Sequence, residues 1–163
     1  MTMNSRLFTA VAFAALCVCS APTFPALAAG SGGSAASGTT SAGPSDEYLR
    51  AERMVRIGAY REAIDLFREI LEDDPGNADV LNYLGYSHRK LGDTEAALEY
   101  YLAALKSDPR HVGANEYLGE LYLEMGDIGK AEKRLSVLRQ SCGSCEEEVE
   151  LSKKIAALKQ RQG

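Results

Sequence analysis

The chain has no tryptophan, only four phenylalanines and five prolines, and two histidines among 163 residues. It also lacks a basic surplus: formal net charge is −5, and Lys and Arg are scattered among Glu rather than clustered. That excludes the electrostatic footprint of nucleic-acid binding and reads as a solvated helical surface. No apolar run approaches the ~20 residues of a membrane-spanning helix. Gly-rich phosphate loops, G-x-S-x-G and H-E-x-x-H are all missing, so no cofactor, small-molecule substrate or catalytic residue is expected. Two distant histidines, His88 and His111, make a poor metal set with the cysteines, so no metal is expected either. His88 falls at a packing position and is read as a core side chain.

What is present begins with a processing signal. Arg6 precedes an apolar stretch from Leu7 to Cys19, and Ala26-Leu27-Ala28 follows. A basic start, a short apolar run and an Ala-x-Ala site predict a secretory signal peptide over 1–28. Cys17 and Cys19 raise a lipid-anchored alternative, but neither follows the small residue that lipidation needs. Residues 29–44 are almost wholly Gly, Ser, Ala and Thr, which bury too little to order and read as a flexible linker. The expected location is the bacterial periplasm, with membrane anchoring left open.

From Ser45 onward, apolar residues recur at three- and four-residue intervals, the spacing of amphipathic helices. The punctuation repeats. Gly58, Gly92 and Gly126 stand 34 residues apart, as do Ala63, Ala97 and Ala131, then Phe67, Tyr101 and Leu135, and finally Pro75 and Pro109. Glycine permits a left-handed helix end, small alanine permits close helix approach, the bulky residue fills the gap, and proline stops the unit. A 34-residue period is that of a helix-turn-helix solenoid.

On these residues the chain resembles the tetratricopeptide repeat family. The middle unit matches best, with Leu81, Leu84, Gly85, Ala97, Tyr101, Ala104 and Pro109 at the signature positions. Asn115, Leu118, Gly119, Tyr122 and Ala131 match in the third unit; Ala51, Ala63, Phe67, Ile70 and Pro75 match less fully in the first. The position where the family has tryptophan holds Glu47, Leu81 and Asn115. The resemblance implies an all-α, right-handed superhelical solenoid over 45–160, with three units (about 45–77, 78–111 and 112–143) and a C-terminal capping helix at about 145–160. Ser144 and Glu147 are read as a capping box at its start, and Cys142 to Gly163 as a break in the period.

The resemblance also implies a concave groove lined by the first helix of each unit. Mapped by position it holds Tyr48, Glu52, Asn82, Tyr83, Tyr86, Arg89, Lys90, Glu116, Tyr117 and Glu120. Tyrosine, asparagine and arginine suit recognition of an extended peptide. The set that clamps a terminal carboxylate in some relatives is replaced by Tyr48, Glu52, Tyr83, Gly113 and Tyr117, so chaperone C-termini are not the expected partner. Changing Tyr83 and Arg89 to alanine is expected to weaken a partner with little loss of melting temperature.

Cys142-Gly-Ser-Cys145 remains. After export it reads as a structural disulfide closing a turn, with a thiol-disulfide role as the alternative and Glu146, Glu147 and Glu148 disfavouring a thiolate. The expected function is a non-catalytic protein- or peptide-binding adaptor or assembly factor. A homo-oligomer formed by stacking end faces stays open.

Overall fold

The computed structural model describes residues 44–162. The expected signal peptide, most of the linker, and Cys17 and Cys19 lie outside them. Among the described residues the order is α1 (Asp46–Arg56), α2 (Tyr60–Asp73), α3 (Ala78–Lys90), α4 (Thr94–Ser107), α5 (Val112–Glu124), α6 (Ile128–Ser141) and α7 (Glu146–Gln162). This is the all-α solenoid expected. None of these helices is long and apolar enough to cross a membrane.

Local chemistry sets the boundaries. Ser45, Asn77, Asp93, His111 and Asp127 each cap a helix by accepting a backbone N–H three residues on, which satisfies a donor that the helix leaves unpaired. Gly58, Gly92 and Gly126 have φ of 79°, 83° and 79°, a left-handed conformation that glycine alone adopts without steric penalty. The residues just before them, Ile57, Leu91 and Met125, are the C-caps of α1, α3 and α5 and are exposed. Although these residues fall in the apolar periodicity, the turn rotates them outward.

Each second helix packs between its own first helix and the next one. Phe67 on α2 lies in a core with Ala51 from α1 and Val80 and Leu84 from α3. Tyr101 on α4 joins Leu81 from α3 and Ala114, Leu118 and Leu121 from α5. Leu135 and Leu138 on α6 then require a further helix, and Leu151 and Ile155 of α7 provide it. The fully buried alanines Ala63, Ala97 and Ala131 keep each pair close.

α7 departs from expectation in two respects. It starts at Glu146, and the Val149 N–H donates to the Cys145 carbonyl. Cys145 therefore stands at the N-cap, and Ser144 is one residue too early for a capping box. Nor does α7 break the period. α3, α5 and α7 begin at 78, 112 and 146, so α7 is a fourth first helix, in register with the others.

Candidate functional site

The inner face is formed by the first helices α1, α3 and α5, with α7 beside α5. At its α1 end, the Tyr83 ring stacks on Phe67 at 5.2 Å, and Tyr48 meets both edge-on at 6.0 Å. The Tyr83 hydroxyl donates to Glu52 Oε1 at 2.8 Å. Next to it lies an open cavity of about 390 Å³ whose walls are Tyr60, Tyr83, Tyr86 and Tyr117 and whose charged members are Glu52 and Arg56. Tyr86 is central: its ring lies 5.0 Å from Tyr117 and 6.2 Å from Tyr60, with the Lys90 ammonium 5.8 Å above it. Burial, reinforced by Asp79 and Glu52, pushes the Tyr48 phenol up to about 12. Burial and then Glu116 push Tyr117 up to about 12. Tyr48 and Tyr117 therefore stay uncharged at physiological pH.

At the α7 end, polar groups replace rings. Arg89 Nη2 donates to Glu120 Oε2 at 2.5 Å and Nη1 to the Tyr117 carbonyl at 3.3 Å. Lys154 of α7 binds the other Glu120 oxygen. One buried carboxylate thus ties α3, α5 and α7 together. Beside it lies a second cavity of about 470 Å³.

Glu116 is the uncompensated group. It is half-buried and makes no hydrogen bond or ion pair among the described residues, and burial followed by the Glu120 charge lifts its carboxyl to about 7. Folded-state affinity for the proton is thereby raised above that of the unfolded chain, so stability declines as pH rises from about 4.5 to 7 and stays lower above. Because half the side chain faces water, the loss is held below about 1 kcal/mol. Glu116→Gln is expected to raise the melting temperature by about 2–4 °C at pH 8 and to leave it unchanged near pH 4. Thermal unfolding followed by circular dichroism at both pH values checks this.

The family model described as tetratricopeptide repeat matches residues 48–109 and 84–140, more than half of the chain. The chain belongs to the tetratricopeptide repeat family. No curated protein sequence matches it. Among solved structures, this repeat protein is similar to the type III secretion translocator chaperone SycD of Yersinia enterocolitica. Identity is 19%, 71% of this chain and 83% of that chain are covered, and the TM-score is 0.64. It is likewise similar to PcrH in complex with the chaperone binding region of PopD (20% identity, 72% and 91% covered, TM-score 0.63). A third similar structure is the first repeat domain of Spaghetti (RPAP3) bound to the HSP90 peptide SRMEEVD (16% identity, 71% and 90% covered, TM-score 0.64). At these identities the likeness is one of fold.

The solenoid distributes the ten sequence-predicted groove residues unevenly. Glu52, Tyr83, Tyr86 and Tyr117 line the first cavity, and Arg89 and Glu120 the second. Lys90 is exposed at the rim. Asn82 is buried instead, and its amide nitrogen would lie 3.1 Å from a Cβ at residue 113; it packs against Gly113, between units, and lines neither cavity. Tyr48 packs onto Phe67 and Tyr83. Arg89 and Tyr83 hold the fold as well as line the groove, so their removal is expected to cost stability too, Arg89 above all. Sequence reading missed Tyr60, which enters from the start of α2, and Arg56, one turn beyond Glu52. It also missed the contribution of α7, although adding 34 to Glu120 gives Lys154.

His88 is a packing residue, its ring stacked on Tyr100 at 5.2 Å and Nδ1 3.1 Å from Asp93 Oδ2. Among the described residues no His, Cys, Asp and Glu side chains gather into a set able to hold a metal ion. Cys142 and Cys145 face each other across the α6–α7 turn with Cα atoms 5.6 Å apart, a separation that a disulfide spans.

Proposed function

We propose that the chain is a non-catalytic adaptor or assembly factor of the bacterial periplasm that binds an extended segment of a partner protein along its inner face. The observation that carries this reading is the tyrosine-lined cavity between α1, α3 and α5. Flat rings offering both apolar area and hydroxyls are the side chains that dominate recognition surfaces. Structures of the same fold support it: SycD is in complex with a peptide of the translocator YopD, and PcrH with the chaperone binding regions of PopD and PopB. Chaperone C-terminal tails are not proposed, because Tyr48, Glu52, Tyr83, Gly113 and Tyr117 replace the clamp.

The test is cross-linked capture from periplasmic extracts with the full chain and a Tyr60→Ser, Lys90→Glu variant. Both changes fall on the cavity and its rim and leave the cores untouched, so the melting temperature should hold while captured partner falls about tenfold, or 1.4 kcal/mol. Equal capture by both proteins would remove the groove from consideration.

We also propose that Cys142 and Cys145 form a disulfide that fixes the α6–α7 turn. It closes so short a loop that it contributes only about 2 kcal/mol. Reduction is accordingly expected to lower the melting temperature by less than about 10 °C. Partner bands trapped by Cys145→Ser on non-reducing gels would establish the thiol-exchange reading in its place.

A further inference from the structure

The second cavity is made by the helix that was expected only to cap the solenoid. Because α7 repeats the register of α5, Lys154 stands where α5 has Glu120, Ala157 where it has Leu123, and Leu158 where it has Glu124. The outcome is a change of chemistry along one groove. Leu123 of α5 with Ala157 and Leu158 of α7 make an apolar wall facing the Arg89, Glu120 and Lys154 ladder. The volume of about 470 Å³ is within the roughly 300–1,000 Å³ of ligand pockets and ample for one large side chain.

The charges around it do not cancel. Three cations, Arg89, Lys154 and Arg161, line the cavity with two carboxylates, Glu120 and Glu124. Glu120 is shared by Arg89 and Lys154, and Glu124 lies 3.8 Å from Arg89. Arg161 is exposed and pairs with no carboxylate among the described residues; its Nε donates to the Ala157 carbonyl, one turn back on its own helix. An apolar wall with an uncommitted guanidinium at its edge is complementary to an apolar side chain adjoining a carboxylate, and it repels a cation in the same place.

We propose that the α5–α7 cavity is a specificity subsite that takes a bulky apolar residue of the partner segment, with a neighbouring Asp or Glu of that segment paired to Arg161. It rests on the peptide-binding reading above and adds which peptides are chosen. α7 is then part of the recognition surface, and the tyrosine cavity supplies the sequence-tolerant remainder.

The experiment uses an array of short acetylated peptides whose central pair is Leu-Glu, Phe-Asp, Leu-Lys, Leu-Ser or Ser-Glu, probed with the full chain. Peptides centred on Leu-Glu and Phe-Asp should be retained about tenfold over Leu-Lys. Ala157→Trp, which fills the cavity from an exposed position, and Arg161→Glu should each abolish that preference. Ala156→Trp, exposed on the same helix but outside the cavity, should leave it intact, and circular dichroism should show all three folded. Retention without the apolar-acidic preference, or a preference that survives Ala157→Trp, overturns the subsite and leaves the groove reading standing. Retention of no peptide of any composition overturns both.

Discussion

Tyr101→Ala is expected to destabilise the solenoid by about 3–5 kcal/mol, whereas Tyr101→Phe is expected to cost nothing or to stabilise slightly. Tyr101 is fully buried and is the largest such side chain of the described residues. It touches α3, α4 and α5 at once, so truncation opens a cavity at two helix interfaces. Its ring also occupies the space left by Gly85: a Cβ at that position would come within 2.6 Å of Tyr101 Cδ1. The backbone of α3 and the ring of α4 are therefore matched, and neither neighbour can collapse into the gap. The hydroxyl contributes differently. Tyr101 Oη is buried and has no hydrogen-bond partner, and burial drives its pKa far upward. An unpaired buried hydroxyl costs about 1–3 kcal/mol, so removing it and keeping the ring should be neutral or favourable. Urea titrations of the two variants check this. A midpoint lower for Tyr101→Phe by the equivalent of more than about 1 kcal/mol would mean that the hydroxyl is satisfied, by a buried water for example.

The same pairing explains why so much of the fold was legible. Gly, Ala, an aromatic and Pro at one interval are a steric recipe: each residue type was needed at its position whatever its neighbours, so the period alone gave six helices and their packing order. Asn115 was harder to read. It sits where the family has tryptophan, yet it is fully buried; it donates to the Pro109 and His111 carbonyls and accepts from Arg134. A satisfied polar hub had replaced an apolar one, and no periodicity announces that. α7 covers α6 as expected, but its register was misread, because its apolar residues Leu151 and Ile155 fall one position away from the family signature although its starting residue keeps the interval. The groove was half legible. Position along a first helix predicts that a side chain points inward, but whether it remains free depends on what it meets there, as Asn82 against Gly113 shows. Tyr60 belongs to a second helix and is invisible to any rule about first helices.

Arg89→Ala is expected to lower stability by roughly 2 kcal/mol, about 8 °C in melting temperature, even though Arg89 lines the second cavity. The side chains of Arg89 and Glu120 are only 12% and 9% exposed. Deleting one partner of so buried a pair usually costs about 3–5 kcal/mol, because the remaining charge is left desolvated. Here Lys154 still reaches Glu120, but its side chain is 47% exposed, so it compensates only in part. Removing both charges is a different matter: Arg89→Ala with Glu120→Gln leaves no desolvated charge at residue 120, and the double variant should recover at least about 1 kcal/mol relative to additivity. Arg89→Lys should not rescue, since an ammonium lacks the planar fork that holds the Glu120 carboxylate and the Tyr117 carbonyl together. A double-mutant cycle in urea measures each step, and strictly additive losses would show that the ion pair is incidental. The consequence for function is direct. Loss of binding in an Arg89 variant could not by itself be assigned to recognition, because a residue that lines the second cavity also fastens α3 to α5.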